Sequence, residues 1–219
     1  MERITDIERA KDIMGKNFIG LTELISIKDK MGIYISDKII KSVPKLTLPL
    51  DFLEKYINDY ILILAIPFYK NGSKLTVVKM KEHFSCDPEK LEPCFYNQDW
   101  YLKEKFANEE TLKSKWYLVK KDVFEVYRGI DPKTFPFKEN KLFKLPTAIL
   151  CAYTFFANYF ISNGEILWKN DFVWCSDSDS NNDQIYIGRY IDPKKINKNG
   201  FNIHRHLSIN KSFSCISVL

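Results

Sequence analysis

The sequence predicts an α+β fold, with a helical N-terminal part that carries a small sheet and a β-rich C-terminal part. Three observations predict it. Apolar residues recur at helical spacing from Ile7 to Ile57, two continuous apolar runs at 60–66 and 116–119 read as buried strands, and beyond Ile161 short β-branched and aromatic runs alternate with loops of Ser, Asn and Asp. With 219 residues and 45% hydrophobic content, the chain can build one large core or two small ones, which excludes wholesale disorder.

Thr5-Asp6-Ile7-Glu8 reads as a capping box, and Ile7, Ala10, Ile13 and Met14 form the apolar stripe of a helix stopped at Gly15. A second helix is expected over Thr22–Met31, ended by Gly32. Pro44 to Pro49 is a connector. A third helix follows over Pro49–Asn58, with Phe52, Leu53, Tyr56 and Ile57 inward. Tyr60–Ile66 is the clearest buried strand, and Asn71-Gly72 marks a turn. Thr76–Phe84 does not alternate and reads as helix. Trp100–Phe106 is a short helix candidate, and Trp116–Val119 a second strand. The stretch Gly129–Leu145, charged and broken by Pro132 and Pro136, is the best boundary, dividing the chain into a scaffold part (1–130) and a binding part (145–219). An apolar helix is expected over Thr147–Ile161, begun at Pro146 and ended by Asn163-Gly164. Short strands follow at Phe172–Cys175, Gln184–Tyr190 and Phe213–Val218.

The net charge of +5 comes from 33 basic and 28 acidic residues, which permits contact with nucleic acid but does not argue for it. The N-terminus lacks an apolar signal core, and the five cysteines form no paired framework; a cytoplasmic location with reduced thiols is expected. The apolar runs Tyr60–Tyr69 and Ala148–Ile161 are too short to span a bilayer, so no membrane partner is expected.

Several groups of residues invite a chemical reading. Asp177, Asp179, Asn181 and Asp183 offer oxygens at alternate positions, as calcium or another divalent ion requires; the competing reading is a solvated hairpin loop. The EF-hand pattern is incomplete, with Asn182 at its glycine position and Gly188 at its bidentate glutamate position. His204-Arg205-His206 places both imidazoles on one face if extended, where they could ligate a metal or act as acid and base. His83, Cys86 and Cys94 lack the close pairs and fourth ligand of structural zinc. Glu139-Asn140-Lys141 with Asp131 matches half of a metal-dependent nuclease centre, against the simpler reading of a charged linker. No glycine-rich phosphate loop, nucleophile elbow or zinc-protease motif occurs.

The stretch from Asn197 to Ser212 differs. Asn197, Asn199, Asn202, His204, His206, Ser208, Asn210 and Ser212 fall mostly at every second position, with Phe201, Ile203, Leu207 and Ile209 between them. An extended ribbon with one polar, adaptable contact face is expected, the alternative being an ordinary solvent-facing sheet edge.

Leu145-Pro146-Thr147, Trp168, Phe172–Asp177, Ile185–Arg189, the polar ribbon and Ile216-Ser217-Val218 together resemble a C-type-lectin-like domain, more narrowly the target proteins of diversity-generating retroelements. That resemblance covers about the last third of the chain. It implies a C-terminal ligand-binding face recoded at adenine-containing codons. The chain departs from the family in lacking Tyr between Asn197 and Leu219 and a closing Gly-Phe-Arg. The chain as a whole, including Glu92–Tyr101, is similar to bacterial proteins of unknown role, which implies no function.

The functional expectation is a non-catalytic protein that binds a protein or other ligand through Asn199, Asn202, His204, His206, Ser208 and Asn210, with Arg189 and Arg205 supplying charge. Replacing Asn202, His204 and His206 should then leave the fold intact. The alternative is a metal-dependent nuclease or other phosphodiester-cleaving enzyme in which His204, His206, Asp177, Asp179 and Asp183 converge on an ion.

Overall fold

An apolar helix with no polar stripe must be covered on all sides. Helix α7 (Ala148–Ile161) is such a helix: every residue from Ala148 to Asn158 is buried. The computed structural model describes residues 3–4, 6–46, 48–86, 92–135, 144–190 and 200–219. Within them the fold is α+β, built around α7.

Before α7 the chain forms β1 (Arg3–Ile4), α1 (Ile7–Met14), β2 (Phe18–Ile19), α2 (Leu21–Met31), α3 (Asp37–Lys41), β3 (Leu48–Pro49), α4 (Leu50–Tyr56), β4 (Tyr60–Leu64), α5 (Val77–Phe84), α6 (Lys105–Asn108) and β5 (Trp116–Lys120). After it come β6 (Phe172–Ser178), β7 (Gln184–Tyr190), β8 (Gly200–His204) and β9 (Phe213–Ser214). A three-stranded sheet has the order β2-β4-β5, parallel then antiparallel. The four-stranded sheet, β8-β7-β6-β9, is antiparallel except for β6 with β9. A short antiparallel pair joins β1 and β3.

Most elements form where the side chains dictate. Asp6 caps α1, accepting from the Glu8 amide at 2.9 Å; Thr5 lies outside the described residues. Gly32, at φ 62°, ends α2 in the left-handed region that glycine enters freely. Strand β4 is buried along its whole length. Three expectations are corrected. Helix α7 starts at Ala148 with Thr147 as its cap, so Pro146 precedes the helix and does not open it. The helix expected over Trp100–Phe106 is a turn followed by α6, in which Phe106 and Ala107 are the buried residues. Strand β9 stops at Ser214, after which the chain crosses to the other sheet.

That crossing, and the packing of α7, bring the two parts of the chain together. Lys120 donates to the Ser217 carbonyl at 3.1 Å, and Leu118 and Leu219 exchange two backbone bonds at 3.1 Å each. Helix α7 packs against α2, α5 and α6, and against β2, β6 and β7. The Tyr153 hydroxyl donates to the Leu64 carbonyl at 3.1 Å, tying α7 to the end of β4. One cluster of buried residues runs from Ala10 to Val218. At its edge, residues 94–96 lie along β8, and only glycine fits there. A Cβ on Gly200 would meet the Cys94 oxygen and the Phe95 carbonyl carbon at 2.7 Å, and φ is +129°.

Candidate functional site

Residues opposite one another in a ladder share a face of the sheet. In the four-stranded sheet Val173, Cys175, Ile185, Ile187, Phe201 and Ile203 face the large core. Trp174, Tyr186 and Phe213 face the other way, into a smaller cluster with Phe135 and Cys215. Asn202 and His204 pair with Gly188 and Tyr186 and therefore share this outer face. Asn202 is only 4% exposed, and its Oδ1 is buried with no hydrogen-bond partner among the described residues. Its replacement tests the fold as well as binding.

His204 stacks on Tyr186 with ring centroids 5.7 Å apart. Its Nδ1 lies 2.8 Å from the Arg205 amide, which donates to it, 3.1 Å from the Tyr186 hydroxyl and 2.5 Å from the Arg205 carbonyl oxygen. Burial, the largest influence, pushes the pKa of this imidazole down. The Tyr186 hydroxyl also accepts from the Leu207 amide at 3.1 Å. Here side chains take backbone amides that a ladder would otherwise take, so β8 ends at His204. His206 then adopts φ 65°. The expected ribbon to Ser212 is corrected accordingly: a strand as far as His204, then a loop.

In that loop Ser208 and Asn210 are exposed, as are Leu207 at 45% and Ile209 at 39%. Asn210 Oδ1 accepts from the Ser212 amide at 2.8 Å and the Ser212 hydroxyl at 2.6 Å, closing the loop. A second loop abuts it. Gly129 donates to the Phe213 carbonyl at 2.8 Å, and Arg128 Nη1 donates to the Lys211 carbonyl at 3.2 Å. This second loop carries the exposed Val126 and Ile130.

Arg205 turns away from the loop. Its guanidinium lies 4.4 Å from the Trp100 ring centroid, donates to Asp179 Oδ2, and is 3.9 Å from Glu104 Oε1. Glu104 in turn accepts from the Ser180 amide at 2.9 Å and its hydroxyl at 3.1 Å. Asp179 Oδ1 accepts from the amides of Asn181 and Asp183, both at 2.9 Å, which shapes the β6–β7 turn. Burial opposes ionisation of Asp179. The Asp183 amide, Arg205 and the Asn181 amide outweigh it and hold the carboxyl below its usual range.

Asp177 does not join this turn. Its Oδ2 accepts from the Ala148 amide at 2.6 Å, at the start of α7. It lines a cleft of about 270 Å³ with Lys133, Phe135, Ser176 and Gln184. Burial there pushes its pKa up to about 6, against the lowering effect of the Ala148 amide. A carboxyl raised in the folded state binds its proton more tightly folded than unfolded. Its contribution is therefore fully present below the unfolded value of 3.8 and lost as pH rises through about 6. Asp177→Asn keeps an oxygen for the Ala148 amide and removes the buried charge. It should raise stability at pH 8 by about 1–3 kcal/mol and change it little at pH 4. Melting curves across that range check this; a variant less stable at pH 8 would show that the charge serves α7.

Arg189 lies on the opposite face from the loop, ion-paired to Glu92 at 2.5 Å, with side chains 10% and 12% exposed. Asn199 lies outside the described residues, as do Asn197 and the Glu139–Lys141 motif. His83, Cys86 and Cys94 do not gather: the one group of three or more metal-ligating side chains among the described residues is Asp179, Asp183 and His206. The partners of Arg205, namely Trp100 and Glu104, carried no local signal in the sequence. They lie about a hundred positions away in the chain. The chain matches no family model, no curated protein and no solved structure in the three comparisons made.

Proposed function

We propose that this chain is a non-catalytic binding protein that engages a protein partner through the loop His206–Asn210 and the neighbouring loop around Val126 and Ile130. One observation carries the reading. Four large apolar side chains, Val126, Ile130, Leu207 and Ile209, are exposed on two abutting loops that are bonded to a sheet. Rigidly held loops with mixed apolar and polar side chains suit recognition, because little freedom is lost on binding. Ser208, Asn210 and His206 supply adaptable hydrogen-bonding groups at its rim. The resemblance to C-type-lectin-like target proteins agrees with this placement near the end of the chain. Arg205, His204 and Asn202 then support the face from behind, and Arg189 secures the other side of the sheet.

A reducing, cytoplasmic setting suits five cysteines whose sequence positions form no paired framework. Among the described residues no helix is long and apolar enough to cross a membrane. Contact with nucleic acid has only the mild net charge of +5 in its favour.

The test is capture of partners from the source cell, comparing the natural chain with Leu207→Ser/Ile209→Ser. Both side chains are exposed, so stability should change by less than about 0.5 kcal/mol while binding falls at least about tenfold. Unchanged capture by a folded double variant would overturn the assignment of this face. The phosphodiester-cleaving alternative is served less well. Asp177 Oδ2 is taken by the Ala148 amide and His204 Nδ1 is surrounded by its own chain, so three of the five residues it needs remain together.

A further inference from the structure

We propose that Asp183 and His206, with Asp179 behind them, form a binding site for a zinc-class divalent ion. The inference stands apart from the partner-binding reading and does not need it.

The argument begins with one distance. His206 Nε2 and Asp183 Oδ2 lie 3.4 Å apart. That is long for a charge-assisted hydrogen bond, which closes to about 2.7–2.9 Å. It is the separation of two ligands on one tetrahedral ion: bonds of about 2.1 Å from His nitrogen or Asp oxygen give a tetrahedron edge of about 3.4 Å. The third donor is an oxygen of Asp179, and the three ligand atoms all lie within 4.8 Å of one another.

Asp179 has room for the task. An ionised carboxylate offers about four lone-pair positions. Three are used, by the Asn181 and Asp183 amides on Oδ1 and by Arg205 on Oδ2. One position on Oδ2 remains. Arg205 orients the carboxylate, as outer partners of metal-bound carboxylates do. The Asp183 and His206 side chains are 43% and 54% exposed, so an ion reaches these two from solvent, while the Asp179 carboxylate lies fully buried behind them and joins the shell as the ion seats.

The donor set chooses the ion. One imidazole nitrogen with two carboxylates suits zinc or its transition-metal neighbours, with water completing the shell. Calcium takes six to eight oxygens, and here Asp177, the first position of the sequence pattern, is spent on the Ala148 amide. The ion would join the β6–β7 turn to the loop that follows β8, two segments of chain already held together by Arg205.

Calorimetric titration of the full chain with zinc chloride, and separately with calcium chloride, tests this. Cobalt(II) absorption supplies the geometry. The expected result is one zinc per chain, much weaker calcium binding, and visible cobalt bands without a thiolate charge-transfer band. His206→Gly, which suits the positive φ, and Asp183→Asn should each weaken zinc binding at least about tenfold. His206 is exposed and Asp183 half-buried, and circular dichroism checks that both variants fold. No zinc binding in large excess, unchanged affinity in both variants, calcium bound as tightly as zinc, or a thiolate band would each overturn the proposal.

Discussion

Replacing Arg189 by Ala is expected to lower the free energy of unfolding by about 3–5 kcal/mol, although its sequence context reads as a binding residue. The guanidinium and Glu92 form an ion pair at 2.5 Å with both side chains about nine-tenths buried. Removing one partner leaves the other charge in an apolar setting that cannot solvate it. The pair is not itself a large source of stability, because Arg189 Nη1 and Glu92 Oε2 have no hydrogen-bond partner among the described residues and their desolvation offsets much of the attraction. The double variant Glu92→Leu/Arg189→Met should therefore recover most of the loss. Urea denaturation of the two single variants and the double variant measures this. Arg189→Ala with natural stability and weakened partner binding would return Arg189 to the binding face. The pair also explains why 94–96 lies on β8: Glu92 is fixed just before Phe95, whose backbone pairs with Phe201.

The elements legible in the sequence are those whose reason is local. Strand β7 occupies the whole span Gln184–Tyr190 read from its β-branched and aromatic pattern, and α2 and α5 end where Gly32 and Phe84 predict. The helix α3 escapes a periodicity reading because none of its five residues is fully buried, only Ile39 packing partly against the core, and it is held by the Ser36 cap. Period-two alternation held for Phe201 to His204 and then failed. The cause is Tyr186, which takes the Leu207 amide, and no spacing within 197–212 encodes a hydroxyl eighteen or more positions upstream. The same holds for the candidate residues. Asp177, Asp179 and Asp183 look equivalent in the sequence. Folding sends Asp177 to the Ala148 amide and gathers Asp179 and Asp183 beside His206. A pattern shows which side chains could serve an ion; which of them meet depends on contacts between distant segments.

Phe201→Ala is expected to cost about 3–5 kcal/mol, and to loosen both parts of the chain at once. The side chain is fully buried, with ring centroids 5.1 Å from Phe155, 5.8 Å from Phe156 and 5.5 Å from Phe95. Those rings stand on α7 and on the segment before Trp100, which bonds to Phe201 through Tyr96 N–H and Cys94 C=O, both at 2.9 Å. Elements fixed this way cannot move inward to fill the space, so the cavity term adds to the lost burial. Because the same cluster reaches from Ala10 to Val218, the loss should appear in one transition. Circular dichroism, weighted to the helices, and fluorescence of the four tryptophans, two in each part of the chain, should give coincident midpoints in the natural chain and in the variant. Two separated midpoints, with only the later one shifted, would mean that 1–130 and 145–219 hold independent cores. A partner-binding loop at the C-terminal end would then be a detachable module. With coincident midpoints, its rigidity derives from the whole chain through α7.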